Sequence, residues 1–407
     1  MKVDWLIIGG GIHGVHIAAR LIGEARLSPE QLQILDPGER LLGRWRDRSQ
    51  VVGMSHLRSP SVHHLGLSPL DLHAFTEKHW RGVRGLFAPP YDRPALSLFD
   101  AHSDAVIDSM KLDRLHLRGE AASCSVQSDG VLVSLADGRE ILAQQVVLAI
   151  GTHDPPERPE WAPVGADRVH HVFQPGFSEW PSEEEAVAVV GGGISAAQVA
   201  LRLAEEGHSV HLISRHSLRE HQFDSDPGWL GPKFMKSFSR EASYAKRRAM
   251  IIEARHRGSV PPDVLSALRK AVQRGAVKWH ERDVDEFQVF DRELEFTLSD
   301  GETLRVNRVL LASGFGVERP GGVLIDQLIE SAQLACADCG YPIVDAALRW
   351  HSRVFVSGAL AELELGPSSR NIAGARRAAE RIIWALRGER ADELPTEVVK
   401  PALLTES

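Results

Sequence analysis

The stretch WLIIGGGIHGVHIAARLI, residues 5–22, decides the fold. Its apolar run Leu6, Ile7 and Ile8 stops at Gly9, Gly10 and Gly11, and Ile12, Val15, Ala19 and Ile22 then recur on one helical face. This pattern predicts a strand, a tight turn and a helix. Gly9, Gly11 and Gly14 occupy the three places of a dinucleotide fingerprint. The first makes the turn, the second lets backbone approach a pyrophosphate, and the third lets the helix pack close on its strand. Ile12 and His13 open the helix, where unpaired N–H groups and the positive dipole end meet negative charge. A glycine-rich turn without a nucleotide is the alternative, and the context opposes it. A second strand, Leu32 to Leu35, leads into Asp36 and Pro37, and Asp36 stands 22 positions after Gly14, where an acid binds ribose hydroxyls.

The 407 residues predict two or three domains, and a composition of 43% hydrophobic and 25% charged residues is that of an ordinary globular chain. The net charge of −8 gives no electrostatic case for nucleic acid. Three cysteines, an odd number, predict a reducing compartment. The strand begins within a few residues of Met1, leaving no room for a signal peptide, and no apolar run reaches the roughly 20 residues of a membrane span. A cytoplasmic location is expected.

After Asp36 comes PGERLLGRWRDR, read as a polar, arginine-rich loop carrying Gly43, Arg44 and Trp45, with packing under the loop the plain fate for the tryptophan. Met54 to Leu72 holds too many Ser, Pro and His residues for a regular helix and reads as a long functional loop. Its His56, His63 and His64 invite a metal reading, but no carboxylate or cysteine cluster completes a ligand set, and no metal is expected. From Gly119 the pattern shifts to short alternating runs, with SDG at 128–130 and ADG at 136–138 as hairpin turns. Gln145 to Ile150 follows as a buried strand closed by Gly151, and prolines crowd 155–163 as a linker.

A second fingerprint lies in AVAVVGGGISAAQVALRLAEEGHSVHLISRH, residues 186–216. Gly191, Gly193 and Ala196 take the three places, Ile194 and Ser195 open the helix, and the next strand ends at Ser214, Arg215 and His216 in place of an acid. An arginine pairs with a 2′-phosphate that a carboxylate would repel, so this half favours NADP. A surface arginine without a ligand is the plain alternative. Residues 277–316 then repeat the plan of 119–151, with SDG at 299–301 and the run Val309 to Ala312 ending at Ser313 and Gly314. Such a duplication points to two bound dinucleotides. Last comes a strand, Val354 to Val356, running to Gly358 and Ala359, with a helix beginning near Ser369 to Asn371. Its positive end can face an anionic group.

On these residues the chain resembles the two-dinucleotide-binding flavoproteins, and most of all the flavin-containing monooxygenases with their Baeyer–Villiger and N-hydroxylating relatives. The resemblance rests on GGGIHG at 9–14 with Asp36, GRW at 43–45, LAIGTHDPPERP at 148–159, GGGISAA at 191–197, LASG at 311–314 and the segment Gly358 to Ala375. Met54 to Pro60 is faintly similar to the flavin-facing loop of N-hydroxylases, and YDRPALSLFDAH at 91–102 to another of their segments. The chain departs from the pattern at Ser55, at Leu98 and in VHHVFQPGF, 169–177, where that class has a histidine-serine motif. The resemblance implies an α/β fold of two Rossmann-like domains, each of three layers (sheet, sheet, helices). An FAD domain, 1–160 plus 310–390, would receive an inserted NAD(P)H domain, 165–309, with a tail at 391–407. It further implies FAD and NADPH as cofactors, Met54, Gly151, Gly314, Arg370 and Asn371 near them, and a flavin hydroperoxide that oxygenates an amine or thioether. The partners would be a small-molecule substrate and molecular oxygen. No side-chain triad is needed for such chemistry, and none is found.

Cys336 and Cys339 form CxxC, the feature of the rival reading, a reductase passing electrons to a disulfide, quinone or protein. Their place before the turn Gly340-Tyr341-Pro342 favours packing over redox work, and Asp338 beside them is expected to raise a thiol pKa. A third reading is a binding module that holds FAD without turnover. The insertion 221–250, with Asp224, Asp226, Trp229 and Lys233 in a loop and a basic helix after it, reads as a lid or a docking surface, or simply a solvated face.

Overall fold

A computed structural model describes residues 1–152, 156–290, 293–316 and 318–388. The expected tail at 391–407 and His153 to Pro155 of the linker lie outside the described residues. The strand Lys2–Ile8 sits centrally in the first sheet, parallel to Leu32–Asp36 on one side and Glu140–Leu148 on the other. Val354–Val356 and His116–Arg118 extend the sheet outward. Successive side chains of a strand point to opposite faces, and both faces here are covered, which is why the strand reads as a continuous apolar run. Ile7 packs with Val15, Ala18, Phe99 and Ile382 of the helices Ile12–Gly23, Leu96–Met110 and Ile372–Arg387. Leu6 and Ile8 pack on the other face with Val131, Val133 and Ile325 of the meander and the helix Gly322–Ala332.

The second sheet repeats the plan with all strands parallel, in the order Val277–Glu281, Ser209–Ser214, Ala186–Val190, Arg308–Leu311, Val169–His171. Helices Ile194–Glu205 and Pro262–Gln273 cover one face, and the antiparallel strands within 284–306 cover the other. Each unit is a sheet between helices and a smaller sheet, the three layers expected.

Four details differ from the sequence reading. The arginine-rich segment is a helix, Gly43–Val51, because Trp45, Arg48, Ser49 and Val52 share one inward side at helical spacing. The strand expected from Gln145 begins at Glu140, since one strand serves both the hairpin with Gly130–Leu135 and the parallel pairing with Lys2–Ile8. The insertion holds two helices, Pro232–Arg240 and Tyr244–Ala254, seated on a cluster of Trp229, Phe238, Ile251, Tyr341 and Leu363. The strand Arg308–Leu311 pairs within the second sheet, so the expected boundary at 309/310 falls inside it.

Candidate functional site

The first fingerprint opens onto a cavity of about 770 Å³. A Cβ at Gly14 would overlap the Gly9 carbonyl, so helix and strand meet backbone to backbone there. A Cβ at Gly11 would have nothing within 4 Å, so that glycine faces open space on the cavity wall. This is the cradle that a pyrophosphate requires, and the residues therefore fit a dinucleotide. Asp36 accepts from Gly10 N–H at 2.7 Å and from Gly38 N–H at 2.8 Å, so its carboxylate ties down the turn and also lines the cavity. Each oxygen retains a lone pair for a ligand hydroxyl.

Of the residues singled out in the sequence, Gly9, Gly11, Ile12, His13, Asp36, Pro37, Gly43, Arg44, Trp45, Met54, Gly151, Gly358, Ala359 and Arg370 line this cavity. His13 Nδ1 is 2.7 Å from Ser357 Oγ. Burial lowers its pKa to about 4 against the opposing pull of backbone hydrogen bonding at Arg370 and Asn371, so the ring is neutral. Trp45 Nε1 donates to Asp100 Oδ1 at 3.2 Å, and its ring packs on Phe99 with one side to the cavity. Arg370 pairs with the buried Glu362 at 2.9 Å, a carboxylate that also meets Arg248 and, at 3.8 Å, Arg255.

The second fingerprint reaches the same cavity through Ile194 and Ser195, the first residues of its helix, and the buried Gln198. Gly191, Gly193, Ala196, Ser214, Arg215, Gly314 and Asn371 are not on the wall. A Cβ at Gly191 would crowd the Ala312 carbonyl and Ala196, while one at Gly193 would meet Gly258 at an ordinary 3.4 Å. Ser214 is buried and accepts from Trp279 Nε1 at 2.9 Å. Arg215 is exposed at the strand end and makes no ion pair or hydrogen bond among the described residues. Asn371 Nδ2 donates to Asp224 Oδ1 at 3.1 Å, tying the insertion to the start of the C-terminal helix.

The sequence reading missed Arg48, Ser49, Val52, Phe173, Gln198 and 321–324. Phe173 sits in the segment VHHVFQPGF that departed from the expected motif, and Arg48 lies one turn after Arg44 on the helix read as a loop. The histidines of the long loop shape it: His64 Nδ1 accepts from Gly66 N–H at 3.0 Å, so its Nε2 donates to the Pro69 carbonyl at 3.2 Å. His56 Nε2 bonds the Gly85 carbonyl at 2.9 Å. Cys336 and Cys339 are free thiols outside the cavity wall. Burial, more than any acid, raises the Cys336 thiol, and folding brings in Arg319 to oppose it, so the influence expected of Asp338 is not the governing one. Among the described residues no helix is long and apolar enough to cross a membrane.

The family model described as pyridine nucleotide-disulphide oxidoreductase matches residues 6–253. No curated protein matches the chain in sequence. Among solved structures, the ornithine N-hydroxylase of Kutzneria sp. 744, determined with reduced FAD, NADP+ and L-ornithine, is similar with a TM-score of 0.77 at 17% identity, over 95% of this chain and 99% of that one. The ornithine hydroxylase of Pseudomonas aeruginosa gives 0.74 at 19% identity over the same shares. The bacillithiol disulfide reductase of Bacillus cereus gives 0.60 at 17% identity, again over 95% and 99%. At these identities the likeness is one of fold.

Proposed function

The chain belongs to the pyridine nucleotide-disulphide oxidoreductase family, and from that premise we propose that it is an FAD- and NADPH-dependent monooxygenase acting on a small molecule with an amine or thioether. The observation that carries this reading is the shared cavity, bounded by the N-termini of both fingerprint helices and by Arg370 at the start of the C-terminal segment. Two dinucleotides on these turns meet in one shared space, as hydride transfer between them requires. FAD, when bound, supplies the chemistry: it takes hydride from NADPH and passes electrons to oxygen.

The chain's own residues bind, orient and enclose. Gly9, Gly11 and the amides opening Ile12–Gly23 hold a pyrophosphate, and Asp36 takes ribose hydroxyls. Trp45 and Met54 supply apolar wall, and neutral His13 offers a hydrogen bond without charge. Arg370, held by Glu362, presents positive charge to the cavity beside the start of the C-terminal helix. In the second unit Arg215 is free to take a 2′-phosphate, which favours NADPH over NADH. The division proposed is 1–160 with 310–390 for FAD and 165–309 for NADPH, the latter extended through Leu311 to keep its strand whole.

Fold likeness to two amine hydroxylases supports oxygenation, and the position of Cys336 and Cys339 off the cavity wall counts against the disulfide reductase. A cytoplasmic setting suits the three free cysteines. The test is consumption of NADPH and oxygen by FAD-loaded protein with L-ornithine and a panel of other primary amines and thioethers. Hydroxylated or sulfoxidised product formed in step with NADPH use is expected. Anaerobic NADPH-driven reduction of a disulfide or quinone, with no oxygenated product from any panel member, would reverse the choice.

A further inference from the structure

Arg48 is a half-buried cation on the cavity wall that the fold leaves without an anion among the described residues. Its guanidinium rests against the stacked pair Phe173 and Phe315, 5.6 and 4.7 Å from their ring centres. A guanidinium carries its N–H donors in its plane. Among the described residues those of Arg48 make no hydrogen bond or ion pair, and the charged neighbour that matters most is a like one, Arg44. Burial lowers its pKa to about 10, so it stays charged at neutral pH. Holding a half-buried cation on a cavity wall without an anion costs free energy, which a ligand's anion would recover.

Its surroundings indicate which ligand. Phe173 and the helix opening at Ile194 belong to the second unit, and Phe315 follows closely on its strand Arg308–Leu311, although Arg48 itself belongs to the first. The helix carrying Arg48 is fixed against the second fingerprint helix, because Arg202 donates to the carbonyls of Gln50 at 3.0 Å and Val51 at 2.9 Å. The positive end of that fingerprint helix and the guanidinium therefore line the same cavity. A planar fork of donors suits phosphate oxygens. We propose that Arg48 binds the pyrophosphate of the dinucleotide seated on the second fingerprint, so that the first unit clamps the nucleotide of the second. This rests on the function proposed above in taking that dinucleotide to be NADP(H).

The test measures NADP+ and NAD+ affinity of FAD-loaded wild type, Arg48→Ala, Arg48→Lys and Arg215→Ala by calorimetry, together with the flavin midpoint potential without nucleotide. Both nucleotides carry a pyrophosphate, so Arg48→Ala is expected to weaken both by the same factor, about 10- to 150-fold, as for a hydrogen bond to a charged group. Arg48→Lys should recover part of this, and the potential should not move. Unchanged affinities in Arg48→Ala would overturn the assignment while leaving the proposed function intact, and so would a loss confined to NADP+ or a moved potential with both affinities unchanged. If Arg48→Ala fails to retain FAD, Arg48→Lys decides alone: equal weakening of both nucleotides supports the clamp, and wild-type affinity refutes it. Wild type that holds FAD but binds neither nucleotide would overturn both proposals.

Discussion

Gly11 and Gly14 share one fingerprint but are glycine for opposite reasons, and substitutions should separate them. Gly11 faces open cavity, so Gly11→Val should fold to within about 0.5 kcal/mol of wild type yet retain no FAD, the added side chain standing where pyrophosphate meets backbone. Gly14→Ala puts a methyl into the Gly9 carbonyl and should cost about 1–3 kcal/mol in denaturant unfolding. Equal stability of the two variants, or FAD retained by Gly11→Val, would contradict this. Arg215→Ala should weaken NADPH by about 1.5–3 kcal/mol and leave NADH nearly unchanged, as read from steady-state KM values for the two nucleotides. Gly11 and Gly14 were legible in the sequence because their spacing is set by backbone geometry that every such turn shares. Arg48 and Phe173 were not, because what makes them neighbours is the approach of two units far apart in sequence.

The strands and both fingerprint helices were legible at the level of elements because they are buried on one or both sides, and burial writes periodicity into the chain. The helix Gly43–Val51 was hidden for a related reason: its inward positions, Trp45, Arg48, Ser49 and Val52, face a cavity rather than a core and so mix polar with apolar. The insertion was hidden because its two helices complete their apolar cluster with Tyr341 and Leu363 from the other end of the chain. Its attachment is also electrostatic. Glu362 is fully buried among Arg248, Arg255 and Arg370, so Glu362→Ala would leave three guanidinium groups without their shared carboxylate. Breaking a buried pair in this way should cost about 3–5 kcal/mol. Limited proteolysis should then cut within 221–257 before the rest of the chain, and a cleavage pattern like that of wild type would count against this attachment.

Across the whole molecule, a group of buried and half-buried histidines contributes to the response to acid. Burial lowers His13, His63 and His102 to about 4, and His64 and His171 to about 3, from the ordinary 6.5. Below pH 6.5 the unfolded chain takes up protons that the folded chain refuses, so stability falls with pH, by up to about 1.4 kcal/mol per histidine per pH unit. The loss runs from pH 6.5 down to about 4, where the folded rings themselves begin to charge, and the contribution is flat above 6.5. Urea midpoints measured on either side of pH 6.5 should show this slope, and a level profile would contradict it. The cysteines lie outside the cavity wall, so Cys336→Ser with Cys339→Ser should leave NADPH oxidation unchanged. Turnover lost while FAD still reduces normally would restore the reductase reading.

The most direct test of a cavity shared by two dinucleotides is anaerobic mixing of the FAD-loaded protein with NADPH, followed through the flavin's visible absorbance. Rapid bleaching is expected, faster with NADPH than with NADH at equal concentration because of Arg215. Bound FAD that stays oxidised in the presence of saturating NADPH would contradict it.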